Sequence, residues 1–216
     1  MNTDASTQAL RQTVVDLCQR LSQRGHFSGT GGNIALRVDA ERIVVTPSAT
    51  DYLTMTAADV CVLRLSDLRQ LEGVRPPSVE SSLHARVLRA RPDVQASIHT
   101  HQPVASACAL LGAGLDVPPP WQRTLGRRVP VVGYAPSGSG WLAGKLGRAL
   151  RPDTHAYLMR NHGVLCCGPT VEQALQAVED LETLCQDLLR QRIARRATQT
   201  PSLQAPLRRV LDALAG

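Results

Sequence analysis

Lysine is nearly missing from this sequence. Of its 24 basic residues, 23 are arginines and only Lys145 is a lysine. That leaves almost no room for Schiff-base chemistry, which needs a lysine amine as nucleophile. Aromatic residues are also scarce: Phe27, Tyr52, Trp121, Tyr134, Trp141 and Tyr157 are the only ones. Six scattered rings argue against a binder of single-stranded nucleic acid, which stacks bases on aromatic faces. No run approaches the roughly 18 to 20 apolar residues needed to span a bilayer. The most apolar stretch, 104–117, is interrupted by Gly112 and Gly114. Residues 1–12 lack the basic-then-apolar order of a secretion signal. The six cysteines (Cys18, Cys61, Cys108, Cys166, Cys167, Cys185) show no CxxC spacing. They are expected to be reduced, partly buried thiols in a cytoplasmic protein, and the adjacent Cys166-Cys167 pair is read the same way rather than as a metal site.

What is present points to one good-sized core. A chain of 216 residues with 43% hydrophobic content suits a single domain, here about 5–195 with a tail over 197–216. The formal charge of +6 gathers late, at Arg190, Arg192, Arg195, Arg196, Arg208 and Arg209. A solvated helix face is the expected reading, ahead of a nucleic-acid patch.

Apolar spacing predicts a helix over 5–24, ended by Gly25, then a Gly-rich loop over 28–33. Strand-like runs follow at 34–38, 42–46 and 60–65. Pro76 and Pro77 break the chain, and Ser78 stands as N-cap for a helix over 79–90. A strand at 95–99, a helix at 104–111, a strand at 129–132 and a helix at 138–150 come next. Strands at 156–159 and 164–167 precede the longest helix, about 170–195, a loose linker over 197–205 and a short final helix. Several strand connections are too short for crossovers. The expectation is a mixed or antiparallel sheet covered by helices.

The strongest chemical signal is His99-Thr100-His101. Alternate residues of a strand point to one face, so both imidazoles can meet one metal ion. His162 lies at a turn between two apolar strands, where functional groups are often held. Glu80 sits beside Pro77 and Ser78 at a helix start, where its carboxylate could simply cap the helix electrostatically. Three imidazoles and a carboxylate suit Zn²⁺ or a similar divalent ion, acting as a Lewis acid that stabilises an enediolate. His84, one turn after Glu80, is read as a packed or supporting residue rather than a ligand, and His26 and His155 as surface residues. Residues 29–33, 46–48 and Ser78 could cradle an anion or be only turns and caps.

Five ordered motifs now meet: Gly-Thr-Gly-Gly-Asn (29–33), Thr-Pro-Ser (46–48) with Asp51-Tyr52, Pro-Ser-x-Glu (77–80), His-Thr-His (99–101) and Asn-His-Gly (161–163). In that order they resemble the class II aldolase/adducin family, most closely its L-fuculose phosphate aldolase-like branch. The resemblance implies a three-layer α/β/α sandwich with a central, mainly antiparallel sheet. It implies a homotetramer with active sites at subunit interfaces, taking a small-molecule substrate; the composition above argues against a nucleic-acid or membrane partner. It implies Zn²⁺ (with Mn²⁺, Co²⁺ or another divalent ion as alternatives) on His99, His101 and His162. Glu80 would be a ligand that moves off to act as acid/base. Substrate phosphate would be held at Gly32, Asn33, Ser48, Ala49, Ser78 and Val79. The activity implied is metal-dependent aldol cleavage of a small sugar phosphate. The alternatives are a dehydratase of the methylthioribulose phosphate type, a sugar-acid decarboxylase, or a non-catalytic adducin-like module. This chain has Ala49 where such aldolases usually carry Gly and Val79 where they usually carry a second Ser. Residues 118–130 contain Trp121 but not the tyrosine acid expected from a neighbouring subunit.

Overall fold

The computed structural model describes residues 3–27, 29 and 31–213; Ser28 and Thr30 of the Gly-rich loop and residues 214–216 of the tail lie outside them. The elements run α1 (Thr3–Gln23), β1 (Asn33–Arg37), β2 (Arg42–Val45), β3 (Cys61–Arg64), β4 (Gln70–Glu72), α2 (Ser81–Ala90), β5 (Ala96–Thr100), α3 (Pro103–Ala109), β6 (Leu115–Asp116), α4 (Gln122–Leu125), β7 (Arg128–Val129), β8 (Val131–Val132), α5 (Gly140–Ala149), β9 (Ala156–Met159), β10 (Gly163–Gly168), α6 (Val171–Gln199) and α7 (Gln204–Ala213). Eight strands form one sheet in the order β4-β3-β2-β1-β5-β10-β9-β8. All pairings in it are antiparallel except β8 with β9.

The sheet is buried on both faces, which is why its strands read as nearly continuous apolar runs. Ile34, Leu36, Val44, Ile98, Leu158 and Val164 face one core, shared with Val14, Leu21, Cys108, Leu125, Val178 and Leu181 of α1, α3, α4 and α6. Ala35, Ile43, Val45, Tyr157 and Leu165 face a second core, shared with Leu83, Val87, Leu142 and Leu146 of α2 and α5. The period-2 alternation of side chains thus divides one sheet between two helical layers. The result is an α/β/α sandwich with a mainly antiparallel sheet. Cys166 and Cys167 point into opposite cores, so they cannot share one ion. All six cysteines are free and buried. Among the described residues, no helix is long and apolar enough to cross a membrane.

Several predicted boundaries move. The strand expected at 129–132 is two strands separated by Pro130, which has no N–H to continue a ladder. β7 pairs with β6 outside the main sheet, while β8 closes the sheet edge. The short strands β4 and β6 carry too few residues for a periodic signal. The linker expected over 197–205 is shorter, because α6 runs on to Gln199 and α7 begins at Gln204. The helix expected over 79–90 starts two residues later, with Glu80 and not Ser78 as its N-cap.

Candidate metal centre

The two central strands place the cluster. Asn33 of β1 lies opposite His99 of β5 in the antiparallel register, and Leu165 of β10 lies opposite His99 on the other side. Along β5, Ile98 faces the first core, so Ser97 and His99 face α2 and α5, and His101 continues that side just beyond the strand. His162 enters from the β9–β10 turn, where Asn161 takes a left-handed φ of 55°, a conformation asparagine tolerates better than most residues. His99 and His162 stack with ring centroids 4.7 Å apart, and His101 meets His99 edge-on at 4.8 Å.

Glycine at 163 is a condition of this packing. A Cβ there would stand 2.5 Å from the Thr100 carbonyl oxygen, 2.7 Å from His101 Cδ2 and 3.0 Å from His99 Cε1. Gly32 has a φ of +93°, and a Cβ on it would overlap the Phe27 ring at 2.4 Å.

Glu80 projects from the head of α2 into the histidines. As N-cap it makes no side-chain hydrogen bond to its helix; its carboxylate is engaged by the histidines, Asn33 and Ser137 instead. Oε1 lies 2.8 Å from His162 Nε2 and Oε2 lies 3.2 Å from His99 Nε2. Asn33 Nδ2 donates to Oε2 at 2.9 Å, and Ser137 Oγ donates to Oε1 at 2.9 Å. Burial alone would raise the Glu80 carboxyl. The hydrogen bonds from His162 and His99, the charge of His99 and the Asn33 amide outweigh it and hold the group well below the usual carboxylate range.

Whether a cation fits can be judged from the donors. One nitrogen from each of His99, His101 and His162 lies within 4.8 Å of the others. His99 Nδ1 is 2.7 Å from the Val164 carbonyl oxygen. That acceptor takes the Nδ1–H, so Nε2 is the nitrogen left facing the cluster, the arrangement that orienting carbonyls give metal-ligating histidines. His101 Nε2 lies 3.0 Å from His99 Nε2, near the roughly 3.3 Å edge of a tetrahedron of nitrogens about 2 Å from one ion. His162 Nε2 is buried, facing Glu80 Oε1 and the other two rings. Burial, followed by the like charges of His99 and His162, brings His101 down to about 4, so its imidazole is neutral near pH 7. Three convergent imidazoles beside a carboxylate fit a divalent ion.

The three polar segments that could cradle an anion meet here. Ser48 N–H donates to the Pro76 carbonyl and Ser78 N–H to the Thr46 carbonyl, zipping 46–48 against 76–78. The resulting cleft, about 220 Å³, is lined by Gly32, Asn33, Ser48, Ala49, Ser78, Val79 and Glu80 beside His101. Among the described residues no lysine or arginine lines it; Lys145 is on α5 with its ammonium on the Tyr134 carbonyl.

Sequence reasoning missed Ser137, whose loop carries no periodic or motif signal and lies 57 positions from Glu80. His84, expected to be packed or supporting rather than a ligand, lies outside the cluster with its ring fully buried between Ser97 and Asn33. Burial first, then the charge of His99, brings it down to about 3. His26 and His155, expected at the surface, are half-buried.

Fold and site together define a mixed α/β protein with a three-histidine, one-carboxylate centre open to a small polar cleft. Residues 12–189 match the class II aldolase and adducin N-terminal domain, and the chain belongs to that family. It is 31% identical over 177 residues to a 5-deoxy-D-ribulose 1-phosphate aldolase of Bacillus thuringiensis serovar kurstaki, covering 82% of each chain. It is 27% identical over 198 residues to a methylthioribulose-1-phosphate dehydratase of Serratia proteamaculans, covering 84% of this chain and 95% of that one. A solved structure of L-fuculose 1-phosphate aldolase matches with a TM-score of 0.76 and 28% identity, covering 82% of each chain.

Proposed function

We propose that the chain, acting as one domain, is a metal-dependent lyase that cleaves a C–C bond of a small phosphorylated hydroxy-carbonyl compound. Family membership supports the class of reaction, and the relatives named as sugar-phosphate aldolases support the class of substrate. The observation that carries the reading is the Glu80 carboxylate set against three converging imidazoles at the floor of the cleft.

In this reading His99, His101 and His162 hold the ion, Zn²⁺ by the chemistry of an all-imidazole set, with Glu80 as a displaceable fourth ligand. A bound divalent ion supplies Lewis acidity, lowering the cost of negative charge on the substrate's oxygens. The chain's own groups do the rest. Glu80 takes or returns a proton at its carboxylate oxygens, with Asn33 and Ser137 fixing their direction. Ser48, Ser78, Asn33 and the backbone at Gly32 and Ala49 hold the substrate's phosphate end in the cleft. The exposed Val79 side chain narrows that end without donating a hydrogen bond. The assembly is proposed to be a cytoplasmic homotetramer whose neighbouring subunits complete the cleft.

A dehydratase reaction on the same site is the second reading. Two observations favour it: residues 118–130 contain no tyrosine, and a relative covered over 95% of its length is named as a dehydratase. A panel of phosphorylated and unphosphorylated ketoses and aldonates separates the two. Two carbonyl fragments are expected from at least one phosphorylated ketose, and loss of water without fragments would assign the dehydratase. Glu80→Gln keeps the side chain's shape and removes its proton chemistry, so the rate should fall about 10²- to 10⁴-fold. A Glu80→Gln enzyme with wild-type turnover would overturn the assignment of Glu80.

A further inference from the structure

Behind Glu80 runs a buried chain of polar side chains that the reaction does not touch directly. Ser97 Oγ lies 2.8 Å from His84 Nδ1, His84 Nε2 lies 2.7 Å from Asn33 Oδ1, and Asn33 Nδ2 lies 2.9 Å from Glu80 Oε2. Ser97 and His84 are fully buried, and Asn33 and Glu80 nearly so. The chain links β5 through α2 and β1 to the head of α2, across the two strands that carry the site.

The direction of every bond follows from Glu80. An ionised carboxylate only accepts, so the Asn33 amide must turn its NH₂ toward Glu80 and its carbonyl toward His84. A carbonyl also only accepts, so His84 must carry its proton on Nε2. Nδ1 then has a lone pair, and the Ser97 hydroxyl donates to it. Reversal has a definite consequence. With the proton on Nδ1, Nε2 would repel the Asn33 carbonyl and the amide would flip. Oδ1 would then face the Glu80 carboxylate, acceptor against acceptor, in a site without water to relieve the clash.

We infer that His84 is a positioning residue for Glu80. Its Nε2–H, with Nδ1 satisfied by the Ser97 hydroxyl, locks the Asn33 amide so that an N–H and not a carbonyl faces the carboxylate. The inference rests on Glu80 being the acid/base group proposed above. It gives Asn33 a task besides lining the anion end of the cleft, and it explains why a fully buried histidine stands one helical turn from Glu80 without reaching the cluster.

Two measurements test it. The first needs neither metal nor turnover: imidazole ¹⁵N–¹H correlation spectra of the metal-free full chain, with the His84 signals assigned by their loss in His84→Gln. A His84 Nε2–H signal is expected; a His84 Nδ1–H tautomer would overturn the inference. The second compares turnover of His84→Leu and His84→Gln. Leu fills the space without a donor, whereas Gln keeps an N–H toward Asn33. For His84→Leu, kcat should fall about 10- to 100-fold with KM nearly unchanged and metal content retained. His84→Gln should recover most of that loss. A folded, metal-replete His84→Leu with wild-type kcat would overturn the inference, as would a Gln variant no better than Leu. If His84→Leu does not fold, Asn33→Asp replaces it: a carboxylate there cannot donate to Glu80, so kcat should fall at least as far, and a folded, metal-replete Asn33→Asp with wild-type kcat would overturn the inference. A wild-type chain inactive on the whole substrate panel would sink the proposed function instead, and the spectra would still decide the tautomer.

Discussion

Ala49 holds a φ of 48° at the mouth of the cleft. Left-handed backbone strains any residue with a Cβ, and glycine alone escapes that strain. Ala49→Gly should therefore raise stability by about 1 kcal/mol, read as a higher denaturant midpoint. An unchanged or lower midpoint would show that the surrounding loop already absorbs the strain. At this scale the sequence was most informative where chemistry is local. His99-Thr100-His101 announced one face of a strand through parity alone, and the rings meet as that parity requires. Ser137 was invisible for the opposite reason: only the fold brings its hydroxyl to Glu80.

At the scale of elements, the site is a junction of β5, β10 and the head of α2, and its tolerance is set by how closely they approach. Gly163 shows this most sharply, because a methyl group there would strike the Thr100 carbonyl and two imidazole rings at once. Gly163→Ala should force β10 away from β5 and reduce metal occupancy well below one per chain. Metal analysis together with a melting curve checks it; full occupancy at wild-type stability would contradict the packing described. The start of α2 shows where local signals mislead. Ser78 has the side chain of an N-cap, and its Oγ does accept a hydrogen bond, from the Glu80 N–H. The helix nonetheless begins at Ser81, because 76–78 are zipped to 46–48. Pro130 likewise divides a run that composition alone reads as continuous, and only the pairing partners reveal two sheets.

For the whole molecule, a buried neutral histidine makes stability depend on pH. His84 falls from an ordinary 6.5 to about 3 on folding, so between those values the unfolded chain binds more protons than the folded one. Stability is complete above pH 6.5 and is lost as pH falls below it. At pH 5.5 the loss from this one residue is about 1 kcal/mol. Glu80, held low in the fold, acts in the same direction at lower pH. Denaturant midpoints of the metal-free chain should drop between pH 7.5 and 5.5, and the drop should shrink in His84→Gln. A flat profile would contradict a neutral, buried His84. A mixed or antiparallel sheet covered by helices was legible in the apolar runs of the strands and in connections too short for crossovers, while the three-layer sandwich was implied by the family resemblance. The assignment of strands to the two cores, and the closing of three polar segments around one cleft, depended on contacts between residues far apart in sequence.

The near absence of lysine and the cluster of three histidines with Glu80 converge on one requirement: turnover must depend on a metal ion. The most direct test strips the full chain with a chelator, restores Zn²⁺ in steps, and follows fragment formation from the phosphorylated ketose that it cleaves. Activity should vanish on stripping and return in proportion to bound metal, saturating at one ion per chain. Cleavage that persists in metal-free protein would contradict the account.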